Sequence, residues 1–139
     1  MRKRTKAREF ALQILYQLDI TGDVCDACLD NFWQMHSEEG IKEEIKNFTA
    51  ELVKGAVDNL EIIDANISKY AANWKIQRMT FIDRNILRLA SFELIFRDDI
   101  PPKVSINEAV ELAKKYSDIE ASKFVNGILD KIKLERKNK

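Results

Sequence analysis

The 139-residue chain sets 23 Lys and Arg against 23 Asp and Glu, so its formal net charge is zero, with 45% hydrophobic and 33% charged residues. That length suits one domain of ordinary size or two small coupled halves, and only four Gly and two Pro favour helices joined by short polar loops over an all-β design. No apolar run of about 18 residues is present, which excludes a membrane-spanning helix. The apolar stretch behind the basic start is broken by Glu9, Gln13 and Gln17, which argues against a secretory signal and for a cytoplasmic protein.

Five cations, Arg2, Lys3, Arg4, Lys6 and Arg8, crowd the first eight residues with no acid among them. Ala7, Phe10, Ala11, Ile14, Leu15 and Leu18 then recur at spacings of three and four, which predicts a helix from about Thr5 to Ile20, closed by Thr21-Gly22-Asp23. A shorter helix carries Cys25, Cys28, Leu29, Phe32 and His36 on one face, and Ser37 to Gly40 reads as a loop. The longest pattern, Ile41, Ile45, Phe48, Leu52, Ala56, Leu60, Ile63, Ile67 and Tyr70, keeps helical phase from about Ile41 to Ala72.

NWKIQRM is a polar, irregular connector. Thr80 with Asp83 three residues on resembles a capping box opening FIDRNILRLASFELIFR, a helix apolar on most faces and therefore expected at the centre of the fold. Asp98-Asp99 and Pro101-Pro102 stop it. Ser105 and Glu108 form a second capping-box pattern opening a helix to about Tyr116; SDIEAS reads as a loop, and the last helix begins near Ala121 or Ser122. The expected fold is all-α: two small three-helix bundles packed together, an N-terminal half of about residues 1–78 and a C-terminal half of about 79–139, acting as one domain.

Charge is distributed unevenly. From Asp19 to Asp64 acids far outnumber Lys42, Lys46 and Lys54, whereas both ends are basic. Such polarity suits oriented binding to a polyanion. Cations in a first helical turn oppose the helix dipole, so the basic start does not serve helix stability; on charge alone it is either a phosphate-binding element or a solvated tail. Tyr70, Trp74 and Phe124 lie close in sequence to Lys69, Lys75, Arg78 and Lys123. They are either faces on which RNA bases stack or packing between the halves.

Motifs of catalysis are missing. Cys25 and Cys28 have Asp23, Asp26 and Asp30 as neighbours, which disfavours the thiolate that a redox pair needs, and a single His cannot complete a four-ligand zinc site. No glycine-rich phosphate loop or nucleophile–base arrangement is present. The reading is a non-enzyme without metal or cofactor: an RNA-binding factor, or alternatively a protein-interaction module using the acidic and apolar helical surface.

AREFALQILYQLD near the start, ILRLASFEL in the central helix and INEAVELAKKYSDIEASKFVNGILDKI near the end resemble the NusB family of bacterial transcription antitermination factors, over essentially the whole chain. The resemblance implies a non-enzymatic factor that binds boxA-type single-stranded RNA of ribosomal RNA operons. It does so with a small-subunit ribosomal protein, NusE, within the RNA polymerase antitermination complex. By position Arg4, Lys6 and Arg8, with Arg2 and Lys3 beside them, match the family's arginine-rich RNA-contacting start, although Thr5 and Lys6 interrupt the arginine run. Tyr70, Lys123 and Phe124 match positions implicated in RNA contact, with Glu120 just before them, while Tyr16 and Asp83 match the surface facing the ribosomal protein.

Overall fold

The structure, a computed structural model, describes residues 2–71 and 74–137. The elements are α1 (Lys3–Thr21), α2 (Cys25–Met35), α3 (Glu43–Asp58), α4 (Leu60–Tyr70), α5 (Phe81–Phe96), α6 (Pro102–Tyr116) and α7 (Ile119–Lys137). Short 3₁₀ turns occupy Ser37–Glu39 and Ile76–Arg78, and there is no strand among the described residues.

Helix α5 explains the arrangement. Every residue from Asn85 to Ile95 is buried, and α5 packs against α1, α3, α4, α6 and α7. A helix apolar all round must be covered all round, and each Leu or Ile it buries contributes about 1.5–3 kcal/mol. Thr80 caps it as expected, its Oγ1 accepting from the Asp83 amide at 3.0 Å. Around it, Ala7, Phe10, Ala11, Leu12, Ile14 and Leu15 of α1 join residues of all the other helices in a single hydrophobic cluster. Gly22 closes α1 with a left-handed φ of 70°, its amide donating to Leu18 O at 2.8 Å, the conformation glycine adopts without strain.

Three local expectations are corrected. The helix predicted from Ile41 to Ala72 breaks at Asn59 (φ −116°, ψ 22°), and Ala72 lies outside the described residues. Both the amide and the side-chain Nδ2 of Asn59 donate to Gly55 O, at 3.2 and 2.9 Å, a local competition that asparagine brings to helix interiors. Beyond the break Ile63 and Ile67 are fully buried while Leu60 and Ile62 face solvent. The pattern at Ser105 and Glu108 is not a cap: α6 starts earlier, with Pro102 in its first turn, where proline loses no hydrogen bond. Ser105 instead points inward, donating to Glu93 Oε1 at 2.8 Å. Finally α7 starts at Ile119, because Asp118 caps it: Oδ1 accepts from the Ala121 amide at 2.7 Å.

Gly55 sits where α3 meets α5. A Cβ there would lie 2.1 Å from Cζ of the buried Phe92 ring, so the helices approach only because glycine is present. Gly55→Ala is expected to destabilise the fold by about 1–2 kcal/mol, since overpacking costs about 1–3 and relief of the glycine helix penalty offsets up to about 1. Urea denaturation measures this; stability equal to the parent protein would refute the close-packing account.

Candidate nucleic-acid interface

The first turn of α1 contains no acid and has no side-chain cap; Arg2 occupies the cap position with extended backbone. Its order therefore comes from tertiary contacts. Thr5 Oγ1 donates to Glu108 Oε1 at 2.6 Å, Lys3 pairs with Glu44, and the Arg4 guanidinium lies 4.3 Å from the Phe48 ring centre. The hydrogen bond from Lys3 holds the Glu44 carboxyl below its ordinary pKa. Arg2, Lys3 and Arg4 stay exposed and, with Glu44, Phe48 and Glu51, line an open groove of about 770 Å³ between α1 and α3. Lys6 is half-buried over the Phe10 ring (4.9 Å) and 4.0 Å from Glu9.

Arg8 is separated from the rest of the basic start. It is 2% exposed and forks onto Glu93, itself 1% exposed, through Nε–Oε2 (2.9 Å) and Nη2–Oε1 (2.8 Å). Its Nη1 reaches Glu108 at 3.3 Å. A guanidinium engaged in this way cannot also fork onto a phosphate. One residue on, Glu9 accepts from Lys115 Nζ at 3.0 and 3.1 Å and from Tyr116 Oη at 3.3 Å, tying α1 to the end of α6.

A second group forms where the 76–78 turn meets α7. Trp74, Arg78, Asp83, Ser117, Asp118, Glu120 and Phe124 line a groove of about 340 Å³. Trp74 is 55% exposed and meets Phe124 edge to face at 6.1 Å, while Phe124 is half-buried against the core. Glu120 lies in the first turn of α7, not in a loop, 3.5 Å from the exposed Lys123. Tyr70 ends α4, its hydroxyl donating to Glu135, which also takes Lys69 Nζ at 2.7 Å; that carboxylate, and then the Tyr70 hydroxyl, raise the Lys69 pKa. The structure thus brings Glu120, Lys123 and Phe124 together, and brings Asp83 to them.

Tyr16 lies apart from that groove, 37% exposed and edge to face with Phe81 at 6.1 Å. Ile20 and Met35 are exposed and share a shallow depression with Tyr16. The acids bounding the acidic region are not a free surface. Asp19 takes Arg84 at 2.6 and 2.7 Å, Asn85 at 2.8 Å and Arg88 at 3.2 Å, and Arg88 forks onto Asp64 at 2.9 Å. Burial acts to raise the Asp19 pKa, but the Arg84 and Asn85 hydrogen bonds and the Arg88 charge outweigh it and hold it low. Burial, with Asp26 and Asp23 respectively, pushes the Cys25 and Cys28 thiols up, the opposite of the shift that activates a redox thiol.

The NusB family model matches residues 5–133. The chain belongs to the NusB family. A transcription antitermination protein NusB of Thermodesulfovibrio yellowstonii is 45% identical over 141 residues, covering 96% of this chain and 93% of that protein. One of Desulfitobacterium hafniense is 46% identical over 129 residues, covering 93% and 86%. Among solved structures, NusB of T. maritima superposes with a TM-score of 0.86 at 36% identity, over 95% of this chain and 91% of that one. A chain from a crystal structure of the antitermination factors NusB and NusE in complex with dsRNA gives a TM-score of 0.86 at 33% identity, over 97% and 98%.

Within this NusB-family framework, two features escaped sequence reasoning. Lys115 is an exposed cation at the end of α6, beside Glu9 of α1; only that pairing, between residues 106 apart, reveals its position. Trp74 stands out in the sequence as an aromatic among cations, but its exposure does not. Arg8→Ala is expected to cost about 3–5 kcal/mol, because it strands a buried carboxylate, and Arg8→Met combined with Glu93→Leu should recover most of that loss. Urea melts of the variants decide the matter; a loss below about 1 kcal/mol for Arg8→Ala would mean the pair is not an anchor.

Proposed function

We propose that this chain is a transcription antitermination factor that binds boxA-type single-stranded RNA of ribosomal RNA operons. It acts jointly with the ribosomal protein NusE and promotes processive transcription by RNA polymerase, in the cytoplasm and by binding rather than catalysis. The observation that carries this reading is the exposed trio Arg2, Lys3 and Arg4, placed at a helix start where their charge opposes the dipole. Cations so placed serve a ligand rather than the helix, and guanidinium suits phosphate. Family membership and the likeness to a chain crystallised in a NusB–NusE–RNA assembly support it.

In this reading the phosphates run over Arg2, Lys3, Arg4 and Lys6, pass the exposed Lys115 and reach Lys123, with Tyr70 and Phe124 beside the track and Glu120 at its edge. Arg8 supports the basic start from beneath through Glu93. Tyr16 and Phe81, with Ile20 and Met35, supply an apolar face suited to a protein partner, and Asp83 adds a carboxylate near the RNA track that complements a basic one.

Fluorescence anisotropy with a boxA-like strand, a scrambled strand and a duplex, each over a salt series with and without NusE, tests the reading. Selective binding to the boxA-like single strand is expected. Arg2→Ala/Lys3→Ala/Arg4→Ala should weaken it and flatten the log affinity–log salt slope by about 2, at about 0.7 for each phosphate no longer neutralised. Weak binding that is equal for all strands and unchanged in the variant would leave only a protein-interaction module.

A further inference from the structure

We propose that the cleft between the C-terminal half of α1 and the start of α4 is a further protein-docking site, which takes a basic segment of a partner protein with an aliphatic side chain seated inside. The cleft belongs neither to the basic start nor to the Tyr16 depression, so the inference goes beyond the RNA reading and stands without it.

The walls are apolar. Leu15, Leu18, Ala56, Val57 and Leu60 line a space of about 240 Å³, room for an aliphatic side chain. Val57 and Leu60 are 38% and 39% exposed, apolar surface that a partner would remove from water. Asn85, 1% exposed, also lines the cleft. Its Nδ2 donates to Asp19 Oδ2 and to Phe81 O, both at 2.8 Å, while its Oδ1 accepts no hydrogen bond among the described residues. The enclosed side-chain atoms without a partner are Asp83 Oδ1 and Ser91 Oγ; Asn85 Oδ1 is not one of them, so an N–H entering the cleft reaches it. A nearly buried acceptor without a donor is unfavourable until one arrives.

The charge around the cleft selects a basic protein segment. Asp23 lines it, and Asp26 and Asp58 stand near the Cys25 thiol in its wall, whose pKa is raised by burial first, then by Asp26 and more weakly by Asp58. Asp23 and Asp58 form no ion pair among the described residues, and Lys54 is taken by Asp26 at 3.2 Å. Arg88, the cation in the lining, is already bound by Asp19 and Asp64. This rim repels a nucleic acid and attracts Lys and Arg flanking an aliphatic anchor. At about 3.6 residues per turn, Leu15, Leu18 and Gly22 lie on the opposite side of α1 from Tyr16, Gln17 and Ile20. Leu18 stands roughly 20 Å along the helix from Arg4. RNA on the basic start, a partner on the Tyr16 face and a segment in the cleft are therefore sterically compatible.

The test uses the full chain and, as probe, a fluorescein-labelled peptide of leucines flanked by lysines and arginines. Two control peptides carry serine for leucine, or glutamate for the basic residues. Saturable anisotropy with the first peptide and none with either control is expected, with methyl NMR shifts at Leu15, Leu18, Val57 and Leu60. Leu60→Lys, a change at an exposed position, should weaken binding by at least about tenfold, the worth of one aliphatic side chain buried. Asp23→Asn/Asp58→Asn should weaken it and flatten its salt dependence, and Tyr16→Ala should leave it unchanged. No saturable binding, equal binding of the serine peptide, or shifts confined to Tyr16, Ile20 and Met35 would overturn the proposal. Val57 and Leu60 shifts produced by NusE alone would also overturn it, since the cleft would then belong to the same partner as the Tyr16 face. RNA binding is measured separately, so loss of the RNA reading and loss of this one are told apart.

Discussion

The pairing of Arg8 with Glu93 is the constraint on which the display surface depends. Two charges withdrawn from water carry a large desolvation cost, which is met only if both are fully hydrogen-bonded. Here the guanidinium forks onto the carboxylate, Ser105 supplies Glu93 with a further donor, and Glu108 takes the remaining arm. The cluster joins one residue near the start of the chain to α5 and α6, so α1 has one admissible depth and rotation against the central helix. Everything N-terminal of Arg8 inherits that placement, including an uncapped first turn that has no helix-stabilising chemistry of its own.

The same device recurs along α1. Glu9 is bound by Lys115 and Tyr116, and Asp19 by Arg84, Asn85 and Arg88. The first helix is thus tied by polar contacts at its beginning, second turn and end, between the apolar contacts of Phe10, Ile14 and Leu15. A good part of the charged content of a formally neutral chain is therefore internal fastening. Only the residues without such partners, or with exposed ones, remain to give the surface its charge.

Much of this was legible in the sequence where a single periodicity decided the outcome. The apolar faces of α1 and α2 and the all-round apolar character of α5 translate directly into burial. What was hidden depended on partners distant in sequence. Arg4 and Arg8 differ by one helical turn and are the same residue type; only Glu93, 85 residues further on, makes one structural and leaves the other exposed. Ser105 and Glu108 match a capping pattern without capping, because the residue types that cap helices also build buried hydrogen-bond clusters. Asn59 broke a helix without breaking its apolar phase, since a side-chain hydrogen bond leaves no trace in hydrophobic spacing. The meeting of Trp74, Asp83 and Phe124 joins three separate segments, and no local pattern reports it.

Phe48 sits beneath three guanidinium groups, those of Arg4, Arg8 and Arg97, at 4.3, 5.5 and 5.5 Å, and Lys3 already has Glu44. The exposed basic start is therefore not bare charge awaiting any anion. A polyanion arriving at Lys3 must exchange for Glu44, so that contact yields less than a free lysine would offer. Indiscriminate attraction to the abundant nucleic acid of a cell is reduced by the same amount, and a strand that also satisfies neighbouring sites gains the advantage. The Glu44 carboxylate and the Phe48 ring thus lower what the basic start offers to a ligand that brings charge alone.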